Sequence, residues 1–136
     1  MEIKRCLFCQ IVSGKEPCRK IYEDSNFLAF LDFKPYALGH TLLIPKKHYR
    51  WVWQIKEPGL DMAAAKIAQA MMENMPITYV SYFTLGWQIK HAHLHLVPRN
   101  KGDGLISEEG FNRKSISESE MNKIAERLKI FTRLKT

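Results

Sequence analysis

The chain has 136 residues, 46% of them hydrophobic and 26% charged, which suits one compact domain spanning 1–136 with little room for a second. No apolar run approaches the roughly 18–20 residues of a membrane span, and Met1-Glu2-Ile3-Lys4-Arg5-Cys6 lacks the apolar core of a secretory signal, so a cytoplasmic location is expected. The 21 Lys and Arg against 14 Asp and Glu leave a net charge of +7, which favours a polyanionic partner; the excess is spread along the chain without interleaved aromatics, so nucleic acid is the less favoured one.

In chain order, residues 9–13 read as one or two helical turns stopped by Gly14. Residues 21–23 and 27–31 read as a hairpin around Asp24-Ser25-Asn26, and 32–39 as a loop holding Pro35 and Gly39. Residues 41–44 form a short strand ended by Pro45. Leu60, Ala64, Ile67, Met71 and Met75 recur at helical spacing until Pro76, a stripe that reads as core. Residues 77–85, rich in β-branched and aromatic types, and 89–97 are the next strands, on either side of Gly86. A loop over 101–110 follows. Ser117 and Glu120 make a capping box, and Met121, Ile124, Leu128 and Phe131 define a helix over about 117–135, whose Arg127, Lys129, Arg133 and Lys135 suit its C-terminal dipole. The order implies an α+β fold with an antiparallel sheet, a long central helix and a C-terminal helix, not a βαβ repeat.

His91, His93 and His95 alternate with Ala92 and Leu94, so on a strand all three imidazoles share one face. Their ends would lie about 13 Å apart along a straight strand, too far for one tetrahedral metal to gather all three. Imidazoles in a basic protein fit an anionic electrophile better: a neutral ring can attack phosphorus, and water can then hydrolyse the phosphoramidate. The three cysteines, Cys6, Cys9 and Cys18, are an odd number and argue against a disulfide framework. Cys6 and Cys9 have metal-ligand or redox spacing, but nothing before Cys6 is long enough to be the strand a redox motif follows.

The run His91-Ala92-His93-Leu94-His95-Leu96-Val97-Pro98-Arg99 resembles the signature of the histidine-triad superfamily. Three earlier segments resemble the rest of that domain in order: Cys6-Leu7-Phe8-Cys9-Gln10-Ile11-Val12, Phe30-Leu31-Asp32-Phe33-Lys34-Pro35, and Gly39-His40-Thr41-Leu42-Leu43-Ile44-Pro45-Lys46-Lys47-His48. The resemblance covers residues 6–100. It implies a five-stranded antiparallel sheet, a homodimer with the C-terminal helix and the strand from Ile77 near its interface, and action on a nucleoside phosphate or dinucleoside polyphosphate. By position, His93 is the expected nucleophile toward the α-phosphorus, His95 contacts phosphate, and His40 supports them. Asp32 falls where the family binds ribose hydroxyls, and Phe8, Ile11, Phe30, Phe33 and Leu42 fall where it sandwiches the base. Where the family carries a Gln assisting phosphate binding, this chain has Trp87, with Gln88 one residue later as the expected catalytic substitute. A subset of the family pairs Cys-x2-Cys with two histidines, here His48 and His91, implying a structural Zn2+ on Cys6, Cys9, His48 and His91. The expected function is a nucleotide hydrolase or nucleotidyl transferase. The altered Trp87-Gln88 loop points to a nucleotide-binding module with little turnover as the alternative, and the charge to a basic RNA-associated protein.

Overall fold

The computed structural model describes residues 5–107 and 110–135; the side chains at 107 and 130–135 fall outside the description, and with them the expectations for Phe131, Arg133 and Lys135. Helix α1 (Leu7–Val12) leads into the hairpin β1 (Lys20–Glu23) and β2 (Phe27–Leu31). Asp24 builds the turn, its Oδ1 accepting from Asn26 and Phe27 N–H at 2.8 Å each. Then follow β3 (Thr41–Pro45), α2 (Leu60–Asn74), β4 (Tyr79–Phe83), β5 (Leu94–Arg99), a short hairpin of β6 (Ile106–Ser107) and β7 (Gly110–Phe111), and α3 (Glu118–Lys135). The main sheet is antiparallel in the order β1-β2-β3-β5-β4, the five-stranded α+β architecture expected.

Alternation along the strands divides the sheet into two covered faces. Phe27, Ala29, Leu31, Leu43 and Leu96 pack under α2 and α3 with Ala64, Ile67, Met71 and Leu128. Leu28, Phe30, Leu42 and Ile44 face the other way and pack with Cys6, Phe8 and Ile11 from the α1 region. This double cover is why all five residues of β2 and of β3 are buried. The helical stripe from Leu60 behaves as read, burying Ala63, Ala64, Ile67, Ala70 and Met71. At the start of α3, Ser117 Oγ accepts from Glu120 N–H at 3.1 Å and lies 3.1 Å from Glu120 Oε1, so the cap forms where expected.

Two expectations are corrected. The triad strand was expected over 89–97; β5 begins only at Leu94 and carries His95 alone, with His91 and His93 on the bend that leads into it. The segment before it bends because Ala92 N–H donates to Tyr49 O at 2.7 Å, leaving the sheet ladder, and because His91 turns toward the cysteines. The loop over 101–110 contains one strand of the β6–β7 hairpin and the start of its partner. Leu105 beside it is buried against Tyr36 and Val97. Helix α3 packs over β1 and α2. No helix among the described residues is long and apolar enough to cross a membrane.

Candidate functional site

The histidines gather on the sheet face opposite α2 and α3, where β5 emerges from the bend. His91 is fully buried, and His93 and His95 are each only 5% exposed. Every buried imidazole needs partners, and those partners fix where each proton sits. His93 Nδ1 lies 2.8 Å from the His91 carbonyl oxygen, which can only accept; Nδ1 therefore carries the hydrogen and Nε2 keeps its lone pair. Tyr36 N–H donates to His40 Nδ1 at 3.0 Å, so the His40 hydrogen is on Nε2, which lies 2.9 Å from His95 Nδ1. His95 Nδ1 accepts it, and the His95 Nε2–H becomes a donor. The triad thus offers a nucleophilic nitrogen on His93 and an N–H on His95, with ring centroids 5.0 Å apart.

The environment keeps these rings neutral. Burial, then the Arg113 and His93 charges, pushes His40 down to about 3. Burial, then His40 and His93, pushes His95 down to about 3. Burial lowers His93 as well, opposed by its bond to the His91 carbonyl and the Asp32 charge. A neutral imidazole is the form that attacks an electrophile.

Arg50 is a further neighbour of the triad that no motif in the sequence marks. Its charge lowers the His93 pKa, its Nη1 donates to Gly86 O at 2.9 Å, and its guanidinium stacks 3.7 Å above Trp51. The only sequence signal was its place two residues after His48. Gly86 is required where it stands: φ is +64°, and a Cβ would approach the Trp51 ring to 2.9 Å. Thr84 Oγ1 donates to His93 O at 2.8 Å and ties this loop to the triad. Gln88 is exposed beyond it, outside the hydrogen-bonded histidine chain, as is Trp87 at 82%.

The residues expected at the base and ribose lie together beside the triad. Phe8 makes edge contacts with Phe30, His91 and His93 at 5.5, 5.7 and 5.3 Å. Ile11 and Leu42 complete that buried cluster, while Phe33 remains 46% exposed at its rim. Asp32 Oδ1 accepts from Lys34 N–H at 2.9 Å. Its Oδ2 pairs with Arg113 Nη1 at 3.3 Å and lies 3.6 Å from His40 Nε2.

A second cluster is set apart from these groups. The ligand atoms of Cys6, Cys9, His48 and His91 all lie within 4.8 Å of one another. His91 Nδ1 is 3.4 Å from Cys6 Sγ and 3.5 Å from Cys9 Sγ, and His48 Nδ1 is 3.2 Å from Cys9 Sγ. A tetrahedral zinc with bonds of about 2.3 Å to sulfur and 2.0–2.1 Å to nitrogen has edges of about 3.5 Å, so the set fits a divalent ion. The proton positions agree: His91 Nε2 lies 2.8 Å from Pro45 O and must donate, leaving Nδ1 bare toward the thiols. Cys9 N–H donates to Cys6 Sγ at 3.4 Å, capping α1 and bringing the two sulfurs together. Burial, then the Cys6 thiol, pushes Cys9 up to about 12. Among the described residues His48 Nε2 is buried without a hydrogen-bond partner; the Lys90 backbone lies near enough to favour its charged form but falls outside bonding geometry. Cys18 stands apart, half-buried against the α1 cluster.

A family model described as scavenger mRNA decapping enzyme C-term binding matches residues 5–108. The chain is 32% identical over 108 residues to an uncharacterised HIT-like protein of Methanocaldococcus jannaschii, covering 74% of this chain and 84% of the relative. It is 34% identical over 127 residues to an adenylylsulfatase of Arabidopsis thaliana, covering 82% of this chain but only 60% of that longer relative. Among solved structures, a zinc-bound histidine triad family protein from Mycobacterium smegmatis superposes with a TM-score of 0.78 at 32% identity, covering 98% of this chain and 97% of that one. With the domain matched over most of its length and three histidines gathered on one face of the sheet, this chain belongs to the histidine-triad family.

Proposed function

We propose that the chain hydrolyses or transfers nucleotidyl groups at the α-phosphorus of a nucleoside phosphate, through a covalent intermediate on His93. The observation that carries this is the proton on His93 Nδ1, held by the His91 carbonyl, which leaves Nε2 as a lone pair beside the His95 N–H. In the first step Nε2 attacks phosphorus, the N–P bond forms, and the bond to the leaving group breaks; the leaving group departs with a proton drawn from solvent. The positive charge created on the ring is stabilised by the His91 carbonyl at Nδ1. The His95 N–H and the Arg50 guanidinium supply donors for the phosphoryl oxygens. In the second step water adds to phosphorus, the N–P bond breaks, the water's proton passes to solvent, and His93 returns to its starting form with release of nucleoside monophosphate. Phe8, Ile11, Phe30, Phe33 and Leu42 would line the base site and Asp32 would take the ribose hydroxyls, which needs its pairing with Arg113 to open.

In the same reading, Cys6, Cys9, His48 and His91 hold a structural zinc, as the solved M. smegmatis relative is zinc-bound. Four protein ligands close the coordination shell, so the ion would tie α1, the segment after β3 and the bend before β5 together without joining the reaction. Reduced thiols suit a cytoplasmic setting. The protein would act as a homodimer through the β4 edge, where Tyr79 and Tyr82 are 44% and 52% exposed beside Met72 of α2. A binding module with little turnover is the second reading, favoured by the exposed Gln88.

Incubation with adenosine 5′-phosphoramidate tests the proposal. Wild type should release AMP, and His93→Ala should lose turnover while keeping the fold. Activity of the variant within about tenfold of wild type, a barrier change of only about 1.4 kcal/mol, would show that His93 is not the nucleophile. Retention of ligand by wild type without release would establish the binding module instead.

A further inference from the structure

Beside Asp32 the chain builds a cavity of about 440 Å3, lined by Phe33, Lys34, Pro35, Arg113, Lys114 and Ser115. Three of these side chains are cationic, and among the described residues one of them has an anionic partner: Arg113, which reaches Asp32 Oδ2 at 3.3 Å. Among the described residues no ion pair is formed by Lys34 or Lys114. Arg113 is held by more than its charge. It donates to the Lys34 carbonyl, lies 3.3 Å from the Tyr36 hydroxyl, and stacks 4.4 Å above the Tyr36 ring. Lys114 N–H donates to Pro35 O at 2.7 Å, fixing the strand-like segment after β7 against the loop after β2. Arg113, Lys114 and Ser115 lie beyond residues 5–108, the range matched by the family model.

We infer that this cavity is a subsite for a phosphate ester on the 2′ or 3′ oxygen of the bound nucleotide's ribose. The inference rests on the proposed placing of the ribose at Asp32. A carboxylate there accepts the hydrogen bond of one free ribose hydroxyl, while a phosphate on the other oxygen projects into the neighbouring cationic cavity. In dinucleotide-binding folds an acidic residue binds a free ribose hydroxyl, and where a 2′-phosphate is bound instead it is an arginine nearby that accommodates it. Here Arg113 would exchange Asp32 Oδ2 for phosphate oxygens, a planar donor pair matched to that anion, and Lys34 and Lys114 would add point charges. The same exchange frees Asp32 for the sugar. Two sources offer this chemistry: a nucleotide carrying a terminal 2′- or 3′-phosphate, or the first internucleotide link of an oligonucleotide.

Calorimetric titration of the zinc-loaded full chain with four probes separates the outcomes. The probes are 5′-AMP, adenosine 3′,5′-bisphosphate, adenosine 2′,5′-bisphosphate and the 5′-phosphorylated dinucleotide pApA. One of the bisphosphates should bind about tenfold or more tightly than 5′-AMP at fixed salt, as expected for charge-assisted bonds to a dianion. Lys34→Gln with Lys114→Gln should bring that ratio down several-fold, and Arg113→Gln should bring it close to one. If pApA shares the gain, the phosphodiester is the ligand; if only a bisphosphate gains, the terminal phosphate is. Bisphosphates binding no tighter than 5′-AMP in wild type overturn the subsite and leave the proposed function intact, whereas failure of every probe to bind removes the nucleotide site itself.

Discussion

His40 Nε2 lies 2.9 Å from His95 Nδ1, and the Tyr36 backbone N–H on the far side of His40 decides which way the hydrogen between them points. The relay carries the conformation of the loop after β2 into the protonation pattern of β5. His40 touches no substrate in the proposed site; it positions a proton on His95.

Loss of that relay should cost catalysis more than binding. His40→Ala leaves His95 free to take either tautomer, so kcat on adenosine 5′-phosphoramidate should fall about tenfold to a hundredfold, as for other partners that orient a reactive ligand. His40→Asn, whose side chain can still accept from Tyr36 N–H and donate to His95, should recover part of the loss. Equal activity of wild type and His40→Ala in steady-state assays would remove the relay from the mechanism.

Zinc should be present at about one ion per chain in protein purified without chelator. Cys9→Ser and His91→Ala should lose it, and His93→Ala should keep it, because the His93 Nδ1 hydrogen points to a carbonyl and away from the cysteines. Metal affinity here is folding free energy. A loss of about 3 kcal/mol would lower the melting midpoint of a chain this size by roughly 10 °C. Elemental analysis finding no zinc would return His91 to its bond with Pro45 alone.

Acid should destabilise the fold through the neutral histidines. An unfolded histidine takes up a proton near pH 6.5, whereas His40 and His95 in the folded chain resist it until about 3. Between these values the unfolded state binds more protons, so stability falls as the pH is lowered from 6.5, by about 1.4 kcal/mol per pH unit for each such group. His40→Asn should flatten the dependence by about one proton. Denaturant titrations at pH 5 and pH 6.5 giving the same difference in unfolding free energy for wild type and variant would refute this.

The β4 edge should carry the dimer. Its backbone faces no further strand in the sheet, and Tyr79 and Tyr82 stand exposed on it. Light scattering at micromolar concentration should give a dimer for wild type and a monomer for Tyr82→Lys, which places a charge on that edge. A monomeric wild type would leave β4 without a partner.

Much of the fold was legible in the chain because it depends on near-neighbour periodicity. The 3.6-residue recurrence from Leu60 to Met71 gave α2 its buried face, and the alternation in β2 sorted Phe27 and Phe30 onto opposite faces of the sheet. The spacing Cys6-x2-Cys9 placed two sulfurs at one helix cap, and the alternating histidines marked where the reactive groups would be. Tertiary structure decided the proton positions, because each depends on a backbone group that spacing does not reveal: Pro45 O for His91, the His91 carbonyl for His93, Tyr36 N–H for His40. It also decided that β5 starts at Leu94, since the hydrogen bond that bends the preceding segment comes from Tyr49, 43 positions before Ala92. Arg50 near His93 and Arg113 on Asp32 belong to the same class. A long cation's partner is set by where its loop is carried in space, and no local pattern in the residues around it records that.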